Sequence, residues 1–538
     1  MDTFYDDIKL DALSDLDCLC VIGRAIDKAG DDDDAALNAH ALVWCEQLDA
    51  RTLSGEHAVM LDYFRSNAFA FAFAFAFAFA FAFAFAFAFA FAFASARRRS
   101  EKDSTWEWDQ EELQKQIYFL RRATRYPEYE QVDTRLQCQI LTNLANVLAH
   151  CGRFVEASTI WTDALGINPK FWMARGNRAS SLMDYARSHN EGPHSPIFMW
   201  FAHRELEQML NDMDEEPTLG DHGPRSHFAS KVDHIERHYK LEAINEAFSL
   251  DASENNQNVG DEYRRWCLFS GLYLNTLNDI GPIELAAHDD LNLPNMVTDL
   301  GKAPIVVGLF NQLKQEFVSA RWLYFEAVNS DEVHDSDLGV YLYNTLDYPA
   351  YGLAVEKLKI SFRMAYSILD KVAYFLNRYL KLGIAEKEVS FRGIWKQNKS
   401  SSTVRPEFNA SKNWALRGLY WLSKDLFEPE FADVTDPDAQ GLSKLRNHLE
   451  HKYVKVHLFA IPEPNASDMW LDDFAYSLTV DELEHRTLRL LRLVRAALIY
   501  FTLGVHAEER RRYEKLPVDA LLGVFDLIPF EDERKRRN

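Results

Sequence analysis

Thirty consecutive residues, LAVEKLKISFRMAYSILDKVAYFLNRYLKL (353–382), contain neither glycine nor proline and place apolar side chains at three- and four-residue intervals. That spacing lays one apolar stripe along an α-helix and would scatter the same side chains over both faces of a strand. A helix of this length must bury its stripe against other helices. The same pattern pervades the chain: 538 residues hold only 22 glycines and 17 prolines, while Leu, Ala, Glu, Arg and Lys recur at helical spacing. An all-α fold follows, and the length asks for two or three domains.

Charge narrows the function. Against 59 basic residues stand 82 acidic ones, a net of −23, so the chain cannot coat nucleic acid by bulk charge and any RNA contact must be local. Cys18, Cys20, Cys45, Cys138, Cys151 and Cys267 are scattered without a CxxC pair or zinc-ligand spacing, which argues against a disulfide framework and a structural zinc. The opening MDTFYDDIKLDALSDLD is acidic and lacks the basic and apolar regions of a signal peptide. A cytoplasmic protein is predicted. GxxxxGK, GxGxxG, GxSxG and HExxH are absent, which removes the nucleotide-loop, dinucleotide, serine-hydrolase and zincin classes.

Ala68 to Ala94 alternate Ala and Phe without interruption and lead through Ser95 and Ala96 into Arg97, Arg98 and Arg99. As a strand the tract would put every Phe on one face and aggregate. As a helix of roughly 40 Å it is long enough to cross a bilayer, with the arginines as a cytoplasmic flank. The preferred reading is a tolerated repeat expansion inside an ordinary helix, because helical sequence (GEHAVMLDYFRSNA, WDQEELQKQIYFLRRA) flanks it on both sides. Membrane association through Ala68 to Ala94 is the rival.

Residues 1–210 form the first expected region. Within TNLANVLAHCGRFVEASTIWTDALGINP, Ala145, Gly152, Ala157, Trp161, Ala164 and Pro169 take the small, turn, groove-filling and stop positions of a helix-turn-helix unit. Asn143, Ala145 and Leu148 map one repeat length on to Asn177, Ala179 and Leu182. This resembles a tetratricopeptide repeat, and such an array implies a surface for a peptide, protein or ligand that the residues do not name.

Residues 211–339 read as a helical connecting region with polar loops at NDMDEEPTLGDHGPRSHFASK and DASENNQNVG. His288, Asp289 and Asp290, and again His334, Asp335 and Asp337, suggest metal ligands by composition alone. Consecutive residues point apart, so loop capping is the expectation.

Residues 340–505 carry the chemistry, followed by a charged tail, 506–538. Four helices are expected: the 353–382 segment, LRGLYWLSKDLF, GLSKLRNHLEHKYVKVHLF and DELEHRTLRLLRLVRAALIYFTLG, separated by the polar stretches KQNKSSSTVRPEFNASKN and EFADVTDPDAQ. In the third, Arg446 and His451 read R-x-x-x-x-H with polar Asn447 after the arginine, and Asn447 and His451 share a face. The motif in its four-helix setting resembles the signature of the HEPN superfamily, and Asp370 with Lys371 resembles the acidic position on that superfamily's opening helices. Helical repeats, an Asn-rich middle and this bundle together resemble bacterial HEPN-domain proteins over nearly the whole chain apart from the Phe-Ala tract.

The resemblance implies a metal-independent endoribonuclease, without cofactor, that acts as a homodimer with two motifs facing one cleft. His451 would transfer protons, Arg446 would hold the phosphate and the charge developing on it, Asn447 would orient, and Asp370 would assist or serve as a structural partner. A defence or stress role is implied by the resemblance alone. Arg486, Arg489, Arg492 and Arg495 recur every third residue and form a candidate RNA-binding stripe, or else pair with carboxylates. The competing reading is a non-catalytic adaptor that binds protein, nucleotide or RNA, with Arg446 and Glu450 an ordinary surface pair.

Overall fold

The computed structural model describes residues 5, 8, 10–75, 107–189, 192–215, 222–253, 259–296, 305–330, 332–343, 345, 347–398, 403–428, 438–459, 474–517 and 532–535. Of the Phe-Ala tract, residues 68–75 continue a helix, and residues 76–94 lie outside the described part. No described helix is long and apolar enough to cross a membrane.

Helices dominate. The longer ones are α1 (Asp15–Asp31), α2 (Ala35–Asp49), α3 (Gly55–Phe75), α4 (Glu111–Ala123), α5 (Thr134–His150), α6 (Phe154–Ile167), α7 (Trp172–Ser188), α8 (His194–Glu215), α9 (His222–His238), α10 (Leu241–Phe248), α11 (Glu262–Phe269), α12 (Ile305–Val328), α13 (Leu353–Tyr379), α14 (Trp414–Phe427), α15 (Asp438–His451) and α16 (Val480–Glu514). Their ends follow from local chemistry. Ser14 accepts from Asp17 N ahead of α1, and Asp34 accepts from Ala36 and Leu37 N ahead of α2. Thr479 accepts from Glu482 N ahead of α16, whose first turn is acidic (Asp481, Glu482) and last turn basic (Arg511, Arg512), as the helix dipole favours.

Antiparallel pairing begins at the N-terminus, where α1 to α3 share a small core around Cys18, Ile22, Trp44 and Leu61. The α5–α6 pair has the expected anatomy: Ala145, Ala157 and Ala164 are fully buried, and Trp161 is buried with its Nε1 donating to Asn146 Oδ1 at 3.1 Å. Gly152 makes the turn at φ +91°, and α7 pairs with α8 in the same manner.

The expected boundaries at 210 and 339 do not separate cores. One apolar core runs from Val59 to Val505, and α8 crosses residue 210. The N-terminal helices are fastened to α14 by buried groups. Trp414 Nε1 donates to Ala149 O at 2.8 Å, Arg417 donates to His150 O at 3.2 Å and Glu107 O at 2.9 Å, and Trp421 Nε1 donates to Trp108 O at 3.0 Å. Backbones touch at this joint: a Cβ on Gly418 would lie 2.2 Å from Gly152 O. Gly418→Ala is therefore expected to lose about 1–3 kcal/mol by overpacking. In an open helix the same change would gain about 1 kcal/mol, so the sign of the shift in denaturation midpoint decides whether this contact exists.

The C-terminal bundle departs from expectation in two ways. Its four long helices are α12, α13, α14 and α16, with α15 laid against them, rather than α13 to α16. The reason is surface: α12 buries Phe310, Leu313, Phe317, Ala320 and Tyr324, whereas α15 contributes Leu442 and Leu445. The second departure is a short strand in the segment read as helix. The helix ends at His451, and β1 (Val454–His457) pairs in parallel with β2 (Tyr476–Thr479). Val454 and Val456 are β-branched and alternate with polar neighbours, a strand pattern too short to outweigh the helical run before it. α16 also runs past residue 505 to Glu514, into the segment read as tail.

Candidate active site

One face of α13 and one face of α15 enclose a pocket of about 320 Å³. From α13 come Arg363, Ser367, Asp370, Lys371 and Tyr374, a single stripe at three- and four-residue steps; from α15 come Arg446 and Glu450, four apart. Arg446 and Asp370, 76 positions apart in the chain, thus line the same space.

The charged groups here are partly committed. Asp370 Oδ1 accepts from Phe391 N at 2.9 Å, which fixes the loop after α13. Lys371 Nζ reaches Glu316 on α12 at 2.5 Å and 2.6 Å. Arg446 is different. Its guanidinium lies over the Tyr366 ring at 5.6 Å, and Nη1 donates to Asn447 Oδ1 at 3.2 Å. Among the described residues neither Arg446 nor Arg363 forms an ion pair, and none joins Arg446 to Glu450. Two half-buried guanidiniums that form no ion pair offer donors to an oxyanion, in a pocket whose lining also carries the carboxylates Asp370, Glu386 and Glu450. Beneath them, burial raises the Tyr366 hydroxyl above its ordinary pKa, while Ser443 pulls it back.

His451 does not line this pocket. It stands five positions after Arg446, which turns it by about 140° around the helix. It is the exposed last residue of α15, on the same side as exposed Asn447. The motif therefore presents its arginine to the pocket and its histidine to exposed surface on another side of the helix. His448 instead packs at 4.8 Å from the Tyr476 ring, and His457 is buried with Nδ1 2.9 Å from Asp347 O. Arg363 was not singled out from the sequence, because one arginine on an amphipathic helix reads as solvated surface.

The arginine stripe is corrected. Arg486 is buried and donates to Tyr476 Oη at 2.6 Å and to Glu482. Arg495 is buried against Asp279 at 2.5 Å and donates to Asn275 O at 2.7 Å. Burial, with Arg121, Arg125 and Arg153 nearby, lowers Arg489 to about 10. Arg492 is exposed and donates to Ser270 O at 3.1 Å. A step of three residues falls about 60° short of a full turn, so nine residues carry the set to the opposite side of α16. No single face presents them to RNA. Arg492→Ala is accordingly expected to leave both stability (within about 0.5 kcal/mol) and RNA affinity unchanged; a large fall in affinity by filter binding would restore the stripe.

Capping explains the acidic loops. Asp337 accepts from Leu353 N at 2.9 Å, His334 Nδ1 from Ser336 N at 3.1 Å, and Asp289 from Leu274 N at 2.7 Å while pairing with buried Arg321. Elsewhere, the donor atoms of His203, Glu207 and Glu236 lie close enough together to consider a cation. However, Glu207 approaches ring Nδ1 at 3.3 Å and Glu236 approaches Nε2 at 3.0 Å. Opposite nitrogens of one ring cannot face one metal, so this is the geometry of an ion pair.

Residues 297–508 match the family model described as LA2681-like HEPN. That span takes in α12 to α15 and most of α16, hence the whole pocket, and makes the C-terminal bundle a HEPN domain. No curated protein and no solved structure matches the chain.

Proposed function

We propose that the chain is a metal-independent endoribonuclease whose HEPN domain cleaves single-stranded RNA, with Arg446 holding the scissile phosphate and His451 moving the proton. The observation that carries this is the guanidinium of Arg446, which forms no ion pair among the described residues, in a pocket shared with Arg363 and Asp370 within the family match. In such a cleavage the RNA 2′ oxygen attacks phosphorus, and the 5′ oxygen leaves with a proton. A fixed cation stabilises the extra charge on the phosphorane, and an imidazole titrating near neutral pH accepts or returns the proton. Arg363 supplies a second cation for a neighbouring phosphate, and Asp370 holds at Phe391 the loop that lines the pocket through Glu386 and Val389.

A homodimer completes the reading: His451, on exposed surface outside the pocket, meets the Arg446 pocket of a second copy across the cleft. The paired N-terminal helices, locked to α14, restrain or recruit the domain, with defence or stress as the biological setting. The test is cleavage of a single-stranded RNA by the purified full chain in EDTA, expected to proceed undiminished. No cleavage, or cleavage only with added Mg²⁺, refutes the proposal. His451's position outside the pocket favours one alternative, a non-catalytic adaptor binding protein, nucleotide or RNA, which predicts that no RNA product forms and that His451→Ala behaves as the parent chain in every RNA assay.

A further inference from the structure

The loop that leads into α13 turns apolar side chains outward. Tyr341, Tyr343, Tyr348 and Tyr351 are 94%, 89%, 63% and 52% exposed, and Phe459 (78%) and Phe474 (82%) stand just after β1 and just before β2. Nothing in the ribonuclease chemistry uses these residues.

They belong to one surface because the loop is tied down. Its ends meet where Asp337 accepts from Leu353 N at 2.9 Å. Its later part lies along β1: Ala350 N donates to Val456 O at 2.7 Å, and Leu458 N donates to Tyr348 O at 3.0 Å. Asp347 anchors it, buried in an ion pair with Lys455 at 2.5 Å, while its backbone oxygen accepts from the buried His457 ring. The Tyr348 and Phe459 rings pack at 6.3 Å, and Tyr453, two positions after His451, packs at 6.1 Å from Phe474. The surface thus reaches from the loop to the end of α15.

Its size decides what kind of occupant it fits. At about 200 Å² for each whole ring residue, six aromatics 52% to 94% exposed offer on the order of 900 Å². That exceeds the roughly 300–600 Å² of the largest apolar patch on an ordinary monomer and matches the roughly 800 Å² that each partner brings to a stable protein interface.

Charge then chooses the partner. Between Asp337 and Leu353 the only charged side chain is Asp347, which is already paired. Single-stranded RNA is held by rings together with cations along its backbone, and this loop has no Lys or Arg. A membrane-surface element would carry the same cations around its apolar face. A second copy of the chain needs neither. Two chains of net −23 repel one another, and a neutral apolar face is where they can meet.

We propose that two copies of the chain pair through this face, the same rings of each meeting across a two-fold axis. The contact rests on the ribonuclease reading only for its catalytic meaning: an interface reaching the end of α15 puts His451, which lies outside its own chain's Arg446 pocket, at the subunit boundary.

Sedimentation velocity and light scattering on the full chain test it. The parent should weigh twice its monomer mass at micromolar concentration. Raising the salt from about 0.1 M to about 1 M should tighten the pair, since salt screens repulsion and leaves apolar contact intact. Tyr341→Ser combined with Tyr343→Ser should weaken the dimer about a hundredfold or more, the loss of two aromatic anchors. Both side chains are almost wholly exposed, so circular dichroism should not change. Phe459→Ser, from the other side of the ladder, should weaken the dimer as well, whereas Leu16→Ser with Val43→Ser, exposed apolar residues of α1 and α2, should leave it intact. A monomeric parent, a dimer that loosens with salt, a double variant as dimeric as the parent, or tyrosine variants that lose RNA binding without a change of mass would overturn the proposal. His451→Ala should dimerise like the parent. A dimer without cleavage therefore leaves this interface standing, and cleavage by a monomer leaves the chemistry standing without it.

Discussion

Replacing His451 with alanine is expected to lower kcat for single-stranded RNA by about 10²–10⁴, the usual share of a general acid–base, with the circular dichroism unchanged. Arg446→Ala should lower kcat by about 10²–10³, the loss of one preorganised charge stabiliser in the transition state. Neither change strands a buried partner. His451 is exposed, and Arg446 gives up only the contact with Tyr366 and one hydrogen bond to exposed Asn447. Stability should therefore hold, which separates chemistry from folding. Arg446→Lys keeps the charge but not the paired donors and should recover only part of the rate. Asp370→Asn keeps the acceptor for Phe391 N, so a large kcat loss there would assign the carboxylate a role beyond holding the loop. Mixing the two inactive variants provides the dimer test. If each active centre combines Arg446 of one copy with His451 of the other, His451→Ala and Arg446→Ala chains together should recover about a quarter to a half of the activity. No recovery would place both groups in one subunit.

Some of this was legible from residues alone, and the reasons are specific. The stripe of α13 was readable because Val355, Leu358, Phe362, Ala365, Leu369, Val372 and Leu376 keep helical period over about six turns. Trp161 and Gly152 were readable because a groove-filling ring and a left-handed turn each admit few residue types. That Arg446 and Asp370 line one pocket was implied only by the family resemblance, since 76 positions of chain separate them and no local pattern joins them. Other features depend on tertiary packing. Whether α12 or α15 completes the bundle turns on which has more apolar face to bury. β1 exists because a partner strand some twenty residues on offers a ladder, which four residues cannot announce locally. The arginines of α16 misled because a three-residue repeat looks like a stripe in the sequence but winds around a helix, so Arg486 and Arg495 entered different parts of the core.

That correction leads to the largest expected effect on stability. Arg495→Met should destabilise the chain by about 3–5 kcal/mol, because it leaves the Asp279 carboxylate buried without its cation. Both side chains are 3% exposed and 2.5 Å apart. Burial already pushes Asp279 above its ordinary pKa although Arg495 and Tyr185 pull it back, and removing Arg495 lets burial push it further. The sign with pH follows. A carboxyl whose folded pKa is raised contributes most when protonated, below its unfolded value, and that contribution is lost as pH rises through the folded value. The deficit of Arg495→Met should thus be smaller near pH 5 than at pH 8 in urea denaturation. Adding Asp279→Leu removes the stranded charge and should return much of the loss, although Tyr185 Oη then gives up its 2.6 Å bond and the backbone oxygens of Tyr273 and Asn275 still lack their donors. A deficit that ignores pH, or a double variant worse than the single, would mean that Arg495 acts by fastening the 273–275 backbone to α16 rather than by neutralising Asp279.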